Sequence, residues 1–295
     1  MAVGLSISST SNMSTGQKIL LRNAKVAEEP SAPGPDLITQ DTMPTGHKQR
    51  DILTYARLGN ANALTEGVDL AQIEQLVTAS LSLTPTEHGI LATLSKRLVD
   101  RQGDSNVIAV TGQLLGRSLG RRQDLDIITL FDSATKSVGG ATITGDITYF
   151  RGSVAYLLTD NDSAYGPAPM PIVADLHIEQ ISDLVADLSD PGAVVSSRFG
   201  LSAEMLQRWW RGTDRLYSVQ VFHGGNITRS SNASKGAIFN SDAMVYVNAA
   251  GSDDVTEDPD PSHRITEYGA FQTWAEGIRS DPWMVEYHTN SAATV

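Results

Sequence analysis

The amino-acid sequence predicts an α+β fold organised around one long helix and a strand-rich C-terminal half. Apolar residues recur every three or four positions across residues 105–134, which is the period of an amphipathic helix. A short apolar run at 172–176 leads directly into a second amphipathic segment at 178–188, as when a strand feeds a helix. Strand-like runs at 216–222 and 236–249 follow, so the second half combines both kinds of element.

Composition limits the classes of protein to which this chain belongs. With 295 residues and 40% hydrophobic content, the chain is long enough for a sizeable core or for two lobes. A formal net charge of −12 disfavours binding of nucleic acid through the overall field, because phosphate binding needs clustered Lys and Arg. The absence of cysteine excludes disulfides, thiolate catalysis and cysteine-based zinc sites. We expect neither a signal peptide nor a membrane helix, since residues 1–20 lack the first pattern and no long apolar run occurs.

Residues 1–50 are predicted to form an extended arm. Small and polar residues dominate this segment, and the cluster Pro30–Pro35 is incompatible with a helix interior. A disordered tail has a similar composition and remains an alternative. The arm is favoured because the run Ile19–Leu21, together with Leu37 and Ile38, requires an apolar surface on which to pack.

Residues 51–103 are predicted to form a long β-hairpin that leaves the body of the protein. The segment Ala63–Leu70 has the pattern of a turn that enters a strand, and Leu76–Leu83 alternates with a period of two. Pro85 ends that strand, and Ile90–Leu98 fits either a strand or a helix. An isolated hairpin is only marginally stable, so we expect it to lie on a neighbour.

The long helix at 105–134 is the strongest prediction. Ser105 is a candidate cap at its start, and about 30 residues at ~1.5 Å each give a length of about 45 Å. Gly112, Gly116 and Gly120 lie four residues apart, which we interpret as a face that a neighbouring strand or helix approaches closely. The remaining segments follow in order: a loop at 136–145, a helix at Asp146–Asp160, a linker at Asn161–Pro171, a short helix at Leu201–Trp210, an acidic surface loop at Gly251–Pro261, and strands within Tyr268–Tyr287.

Two arginine clusters have simple structural interpretations. Arg117, Arg121 and Arg122 are expected to form one solvated or ion-paired face of the long helix. The pair Trp209-Trp210 lies between two arginines, Arg208 and Arg211, and such a cluster either stacks nucleobases or anchors a protein contact. We favour core packing for one tryptophan and an interface for the other.

The sequence carries no recognisable catalytic, cofactor or metal-binding constellation. The six histidines lack the spacing of metal ligands, and His177, between a strand and a helix, fits a capping role. Asp160-Asn-Asp162 and Asp258-Pro-Asp260 do not continue into a calcium-binding loop, and Gly112–Gly116 lies inside a helix rather than after a strand. We therefore expect no catalytic, cofactor-binding or metal-binding residues, no cofactor, and a structural protein rather than an enzyme.

The order of these elements resembles the major capsid proteins of tailed double-stranded DNA phages, which share the Hong Kong 97-type fold. Ala63–Leu70 looks like the segment that enters the family's extended loop, and Ile172–Leu184 is similar to its strand–(L-H-x-x-Q)–helix passage. The segments Leu216–Phe222 and Gly236–Ala243, with Asn226 between them, look like its later strands and loop. The resemblance covers roughly residues 50–290.

The resemblance implies a division of the chain into five parts. An N-terminal arm at 1–50 precedes an extended loop at 51–103, and a peripheral domain with the spine helix occupies 104–170. A mostly axial domain at 171–250 follows, and 251–295 returns to the peripheral domain. The implied function is a self-assembling icosahedral head shell that encloses the phage DNA.

The resemblance also implies partners and a location. The chain would form pentamers and hexamers with itself, would work with portal and decoration proteins, and would enclose double-stranded DNA without sequence-specific binding or contact with a membrane. It would assemble in the host cytoplasm and remain in the virion capsid. Residues 1–50 are too short and too rich in Pro, Gly and Ser for a helical scaffolding segment, which implies a separate scaffolding protein. Some relatives form Lys–Asn cross-links, but no lysine lies between Asp51 and Ser95 and Lys96 only follows them, so we predict none here.

Two other functions remain as alternatives. An encapsulin-like bacterial nanocompartment has the same fold but holds an enzyme cargo. An unrecognised α+β enzyme would need an acid–base constellation, which the sequence does not display.

Overall fold

The computed structural model describes residues 32–61, 63, 66, 74–102, 104–159, 164–189, 215–227, 229–230 and 232–290. Five α-helices occur in this part of the chain: α1 Gly34–Leu37, α2 Lys96–Gln102, α3 Asp104–Phe131, α4 Ile147–Leu158 and α5 Ile178–Ser189. Its strands are β1 Thr39–Met43, β2 Arg50–Tyr55, β3 Thr78–Leu83, β4 Thr86–Ser95, β5 Ser137–Thr144, β6 Ile172–Leu176, β7 Arg215–Leu216, β8 Val219–His223, β9 Arg229–Ser230, β10 Ala233–Asn240, β11 Met244–Ala249, β12 Asp254–Asp260, β13 Ile265–Ile278 and β14 Met284–Asn290.

The strands form three sheets. The central sheet has the order β5-β14-β10-β6-β8-β7, with β9 paired to the start of β10. In the second sheet, of order β1-β11-β13-β12, strand β4 pairs with the other edge of β13. Strands β2 and β3 pair only with each other, in an antiparallel register that joins Arg50 to Leu83 and Tyr55 to Thr78. The predicted α+β class is confirmed.

The central sheet is covered on both faces, and each strand alternates its side chains between the two cores. On one face, α4 and α5 pack over Ala174 and Ile238, among others. On the other face, α3 packs over Val173 and Phe239. Every residue of β6 is buried, as expected for a strand with helices on both sides.

The long helix is confirmed as α3, whose 28 residues extend for about 42 Å. Its second half carries the main apolar face into the core, where Ile127, Ile128 and Phe131 are buried. The ring of Phe131 lies 5.6 Å from that of Phe239 on the central sheet. In the first half, Leu115 is also buried, whereas Ile108 and Leu114 remain exposed.

His177 and Gln180 cap the start of α5 reciprocally, which confirms the structural role predicted for His177. The imidazole Nδ1 of His177 accepts a hydrogen bond from the amide of Glu179 at 3.3 Å. The side-chain oxygen of Gln180 accepts one from the amide of His177 at 3.0 Å. This is the geometry of a capping box with histidine at the N-cap, which explains the L-H-x-x-Q pattern.

The amide group of Gln180 also joins α5 to two strands of the central sheet. Its Nε2 donates to the carbonyl oxygens of Ser234 on β10 and Tyr287 on β14, at 3.0 and 2.9 Å, and lies 2.9 Å from the hydroxyl of Thr289. Gln180 is fully buried, so these bonds form away from water. One side chain therefore fixes a helix start and two strand positions together.

Part of the predicted arm packs on its own body. Leu37 and Ile38 are buried beside α3, as the sequence predicts, and β1 pairs in parallel with β11. The amide of Gly34 donates to Asp124 Oδ1 at 2.8 Å, which attaches this segment to the spine helix. The apolar run Ile19–Leu21 lies outside the described residues.

The predicted hairpin at 51–103 has a different pairing from the one expected. Strand β3 pairs with β2, and β4 pairs with β13 over ten residues from Ser95 to Thr86. The segment Ile90–Leu98 contains both predicted alternatives, because β4 ends at Ser95 and α2 begins at Lys96. Most of Ala63–Leu70 lies outside the described residues.

Two predicted loops are strands. The segment at 136–145 contains β5, whose Gly- and Thr-rich sequence pairs in parallel with β14, with Gly139 at a φ of +92° against the carbonyl of His288. The acidic segment Gly251–Pro261 contains β12, an edge strand on which Pro259 needs no ladder hydrogen bond. In both cases a distant partner strand overrides a weak local preference.

The other predicted elements have mixed outcomes. The helix at Asp146–Asp160 is confirmed as α4, where Asp146 caps the amides of Thr148 and Tyr149. The strand at 216–222 begins one residue earlier and is divided into β7 and β8, and strands β13 and β14 confirm the C-terminal expectation. The short helix at Leu201–Trp210 and the Arg-flanked Trp209-Trp210 pair lie outside the described residues, as does Asp160-Asn-Asp162.

Replacing Gln180 with alanine is expected to lower the free energy of unfolding by about 3 kcal/mol. The change leaves three buried acceptors and one helix-start amide without this partner, and each such loss costs about 1–3 kcal/mol with partial overlap. Urea denaturation measures the effect. Ser182→Ala, on the exposed side of the same helix, should change it by less than about 0.5 kcal/mol. Equal effects of the two substitutions would contradict the role assigned to Gln180.

Candidate assembly surfaces

The first candidate surface lies on the β2–β3 hairpin. We call it the hairpin surface, and it comprises Leu53, Tyr55, Leu58, Leu76 and Val77, which are between 51% and 64% exposed. Leu53 and Tyr55 lie on the outward side of β2, and Leu58, Leu76 and Val77 lie in the chain that connects β2 to β3. A contiguous apolar patch of this kind on a monomer marks a surface that binds another protein.

The base of the hairpin is fixed to the second sheet. Leu83 packs in a small core with Met43, Val245 and Val247. The side-chain Nε of Arg279 donates to the hydroxyl of Thr54 at 3.2 Å. The inward-facing side chains of β2 and β3 are thus occupied in the chain's own fold, which leaves the outward side for a partner.

The second candidate surface is the first half of α3. An added Cβ at Gly112, Gly116 or Gly120 would meet no heavy atom within 4 Å among the described residues. Within the described part of the chain, no strand or helix makes the close approach predicted for these glycines, which leaves the approach of a neighbouring copy as the prediction. Ile108, one turn before Gly112 and 36% exposed, adds an apolar side chain to this face.

The third candidate surface is the acidic edge strand β12. Its Val255 is 78% exposed, and Asp254, Glu257 and Asp258 are exposed beside it. Hydrogen bonds from Ser262 and His263 lower the pKa of Asp260 well below its usual range, so this carboxylate stays ionised. Charges and a proline along an open edge prevent other strands from adding to the sheet.

A groove of about 700 Å³ lies between α3 and the central sheet, and it bears on the enzyme alternative. Its charged residues are paired: Arg122 lies 2.9 Å from Asp126, and Lys235 contacts Asp132. The lysine lowers the pKa of Asp132, and this carboxylate raises the pKa of Lys235, so each is stabilised in its charged form. Such pairs are typical of structural ion pairs rather than of a catalytic acid and base near neutral pH.

The structure shows the positions of the three arginines of α3 and of several histidines that the sequence singled out. Arg117, Arg121 and Arg122 are all exposed on α3, and the last pairs with Asp126, as the predicted solvated or ion-paired face requires. His88 stacks on Trp274 with ring centroids 4.0 Å apart, and His263 lies 2.6 Å from Asp260. Within the described ranges, no three side chains of the types His, Asp and Glu come together as a metal site would require. No helix in that same part of the chain is both long enough and apolar enough to cross a membrane.

Sequence reasoning missed the two features that matter most here. It did not identify β2, although Ile52 and Thr54 alternate with Leu53 and Tyr55, because polar and apolar residues are mixed on both sides of this strand. It treated the Gln180 position as a family pattern rather than as a buried junction. The signal was present in both cases, but only the fold tells which side of a strand or helix faces solvent.

Among the comparisons with known proteins, the fold is identified by similarity to solved structures. No protein-family model matches the chain, and no curated protein matches it by sequence. Among solved structures, the capsid of Ralstonia phage GP4 superposes with a TM-score of 0.71 at 10% identity, over 95% of this chain and 97% of that one. The chain has a phage-capsid fold. The head of Helicobacter pylori bacteriophage KHP40 matches over 98% of both chains, with a TM-score of 0.70 at 12% identity. The capsid of the empty GTA particle matches over 90% of this chain and 92% of that one, with a TM-score of 0.67 at 12% identity.

Gly116→Ala is expected to stabilise the isolated chain by about 1 kcal/mol. Alanine has a better helix propensity than glycine, and the added methyl group meets nothing in the described structure. Gly139→Ala is the matched contrast, because its positive φ and the adjacent carbonyl of His288 leave no room for a side chain. Urea denaturation of both variants checks the prediction, and a destabilised Gly116→Ala chain would refute it.

The stability of the chain should depend on pH through Asp183. Burial, followed by the charge of Glu179, raises the pKa of Asp183 to about 6. The folded chain therefore holds this proton more tightly than the unfolded chain, and stability falls as pH rises from about 4 through about 6. Asp183→Asn should be more stable than the natural chain at pH 7.5 and should lose this advantage near pH 4. Thermal unfolding at both pH values measures it, and an advantage that is independent of pH would contradict the assignment.

Proposed function

We propose that this protein is a structural subunit of an icosahedral phage head and encloses double-stranded DNA. The observation that carries the proposal is the agreement of fold over nearly the whole length of capsid and head proteins, 98% of both chains in one case. A shared fold alone leaves function open. The exposed surfaces of this chain supply the second part of the argument.

The hairpin surface supports self-assembly. Five large apolar side chains on a narrow hairpin have no core of their own, and burial against another copy would remove this area from water. A projecting element that packs on a different surface of the next copy makes a heterologous contact, and such contacts close into rings. We propose pentamers and hexamers built in this way, with interfaces above the standard size of about 1,600 Å².

The glycine-bearing half of α3 fits the same proposal as a receiving face. It has exposed apolar side chains and backbone that is accessible at three successive turns. A neighbouring copy that packs there would contact the helix backbone closely. The five-part division of the chain, from an arm at 1–50 to a returning segment at 251–295, belongs to this proposal.

The charge of the chain supports a shell that does not adhere to its contents. The net charge is −12, and part of it comes from a run of exposed carboxylates on β12. Packaged DNA is repelled by a surface of the same sign, so it is enclosed without sequence-specific binding. A separate scaffolding protein, a portal, decoration proteins, assembly in the host cytoplasm and location in the virion complete the proposal.

The two alternatives differ from it in measurable ways. An encapsulin-like compartment would assemble in the same way but would contain a protein cargo instead of DNA. An enzyme would show turnover as a soluble monomer, but the paired charges in the groove along α3 do not favour acid–base chemistry. Electron microscopy of the purified protein, with and without a scaffolding partner, followed by analysis of nuclease-protected contents, separates all three.

Leu53→Asp should abolish shell assembly and leave the fold of the chain intact. The side chain is half exposed in the isolated subunit, so the substitution should change the free energy of unfolding by less than about 0.5 kcal/mol. In an assembled shell the new carboxylate would be buried against an apolar partner at a much larger cost. Leu53→Met is the matched control, because it keeps an apolar side chain at this position.

Sedimentation and electron microscopy count shells in the two variants, and thermal unfolding checks the fold. Normal shells from the Leu53→Asp chain would show that the hairpin surface is not a subunit contact.

A further inference from the structure

Asp175 is a buried acid for which the fold supplies no partner. It lies in the middle of the central sheet on β6, paired through its backbone with Ala237 and Phe222. It is 0% exposed, and among the described residues neither carboxylate oxygen has a hydrogen-bond partner. An isolated buried carboxylate is among the most costly groups in a protein interior, so this arrangement calls for a compensating ligand.

A second buried carboxylate faces it from the spine helix. Asp124 on α3 is also fully buried, and it accepts hydrogen bonds from Gly34 N and Asn226 Nδ2, both at 2.8 Å. Burial and then the charge of Asp124 raise the pKa of Asp175 well above its ordinary value. One loop contacts both acids, through Gly224 at Asp175 and Asn226 at Asp124, and each carboxylate keeps lone pairs that no donor of the described residues uses.

No cationic side chain of the described residues compensates this pair. The lysine and arginine ion pairs within the described part use other carboxylates, those of Asp41, Asp100, Asp126, Asp132, Glu179 and Glu286. Buried charges in proteins are normally paired or coordinate a metal. Two carboxylates of the same sign in one site give a local charge of −2 when both are ionised.

The loop at 224–227 passes directly against Asp175. A Cβ at Gly224 would lie 2.5 Å from Asp175 Oδ1, so only glycine allows the loop to come this close. The amide of Gly224 is fixed to the carbonyl of Leu176 at 3.1 Å. Asn226, which bonds to Asp124 through its nitrogen, also carries an amide oxygen.

We propose that a divalent cation binds between Asp124 and Asp175 and joins the spine helix, the central sheet and the loop at 224–227. The donors are all oxygens, which suit a hard ion such as Ca²⁺ or Mg²⁺. A charge of +2 balances the two carboxylates. The site goes beyond the proposed shell function and does not depend on it, because every ligand comes from one chain.

The test uses the purified full chain, stripped with EDTA and then titrated with Ca²⁺ at pH 7.5. At about a hundred-fold excess over the dissociation constant, the melting temperature should rise by about 5 °C. Isothermal titration calorimetry should give one bound Ca²⁺ per chain. Asp175→Asn should abolish both effects and should melt at a higher temperature than the natural chain in EDTA, because it removes the uncompensated charge.

Two controls keep the test decisive. Asp183→Asn removes another acid that titrates at an unusual pH but lies on α5, and it should keep the full response to Ca²⁺. If Asp175→Asn fails to fold, Asp124→Asn replaces it, since the amide oxygen still accepts from Gly34. The proposal is overturned if Ca²⁺ does not raise the melting temperature of the natural chain, or raises it equally in the Asp175→Asn chain. It is also overturned if metal-free protein shows an Asp175-dependent loss of stability with rising pH and no response to Ca²⁺, because a proton would then be the compensating ligand.

Discussion

The position of Gln180 is the constraint on which the rest of this structure depends. A single buried carboxamide caps the start of α5 and bonds to strands β10 and β14. Strand β10 lies between β14 and β6, so this contact fixes the middle of the central sheet relative to the helix layer above it. The spine helix packs on the opposite face of the same strands, and its direction is set by them.

The sequence predicts the elements whose signal is local and leaves open those that depend on distant partners. The spine helix and α5 follow from the spacing of their apolar residues, and the capping role of His177 follows from its place between strand and helix. Strands β5 and β12 carry glycine, threonine or acidic residues, and each becomes a strand only because β14 or β13 pairs with it. The exchange of partners between β3 and β4 has the same origin, since hairpin pairing is not encoded within either strand alone.

The candidate surfaces also combine features that the sequence predicts with features that only the fold shows. A projecting hairpin follows from the sequence pattern, whereas its outward apolar residues emerge only when the inward ones are found against Val245 and Val247. The spacing of the glycines of α3 is a clear signal in the sequence, but the sequence does not say what packs on them. Within the described chain, no heavy atom lies within 4 Å of a Cβ added at these positions. Asp175 gives no signal at all in sequence, where an acid beside a helix start resembles an exposed cap. Its burial appears only when both faces of the central sheet are covered.

The attachment of the β2–β3 hairpin has a consequence for geometry. Its base is joined to the second sheet by a small apolar core and by the bond between Arg279 and Thr54, and its strands are separate from the central sheet. Further contacts, the ion pair of Arg50 with Asp41 and the bond from the Arg57 amide to the Ala164 carbonyl, also lie outside the central sheet that Gln180 holds together. In the proposed shell, identical subunits around five-fold and six-fold positions meet at different curvatures. A contact element attached outside the main core allows one sequence to satisfy this quasi-equivalence without a second fold.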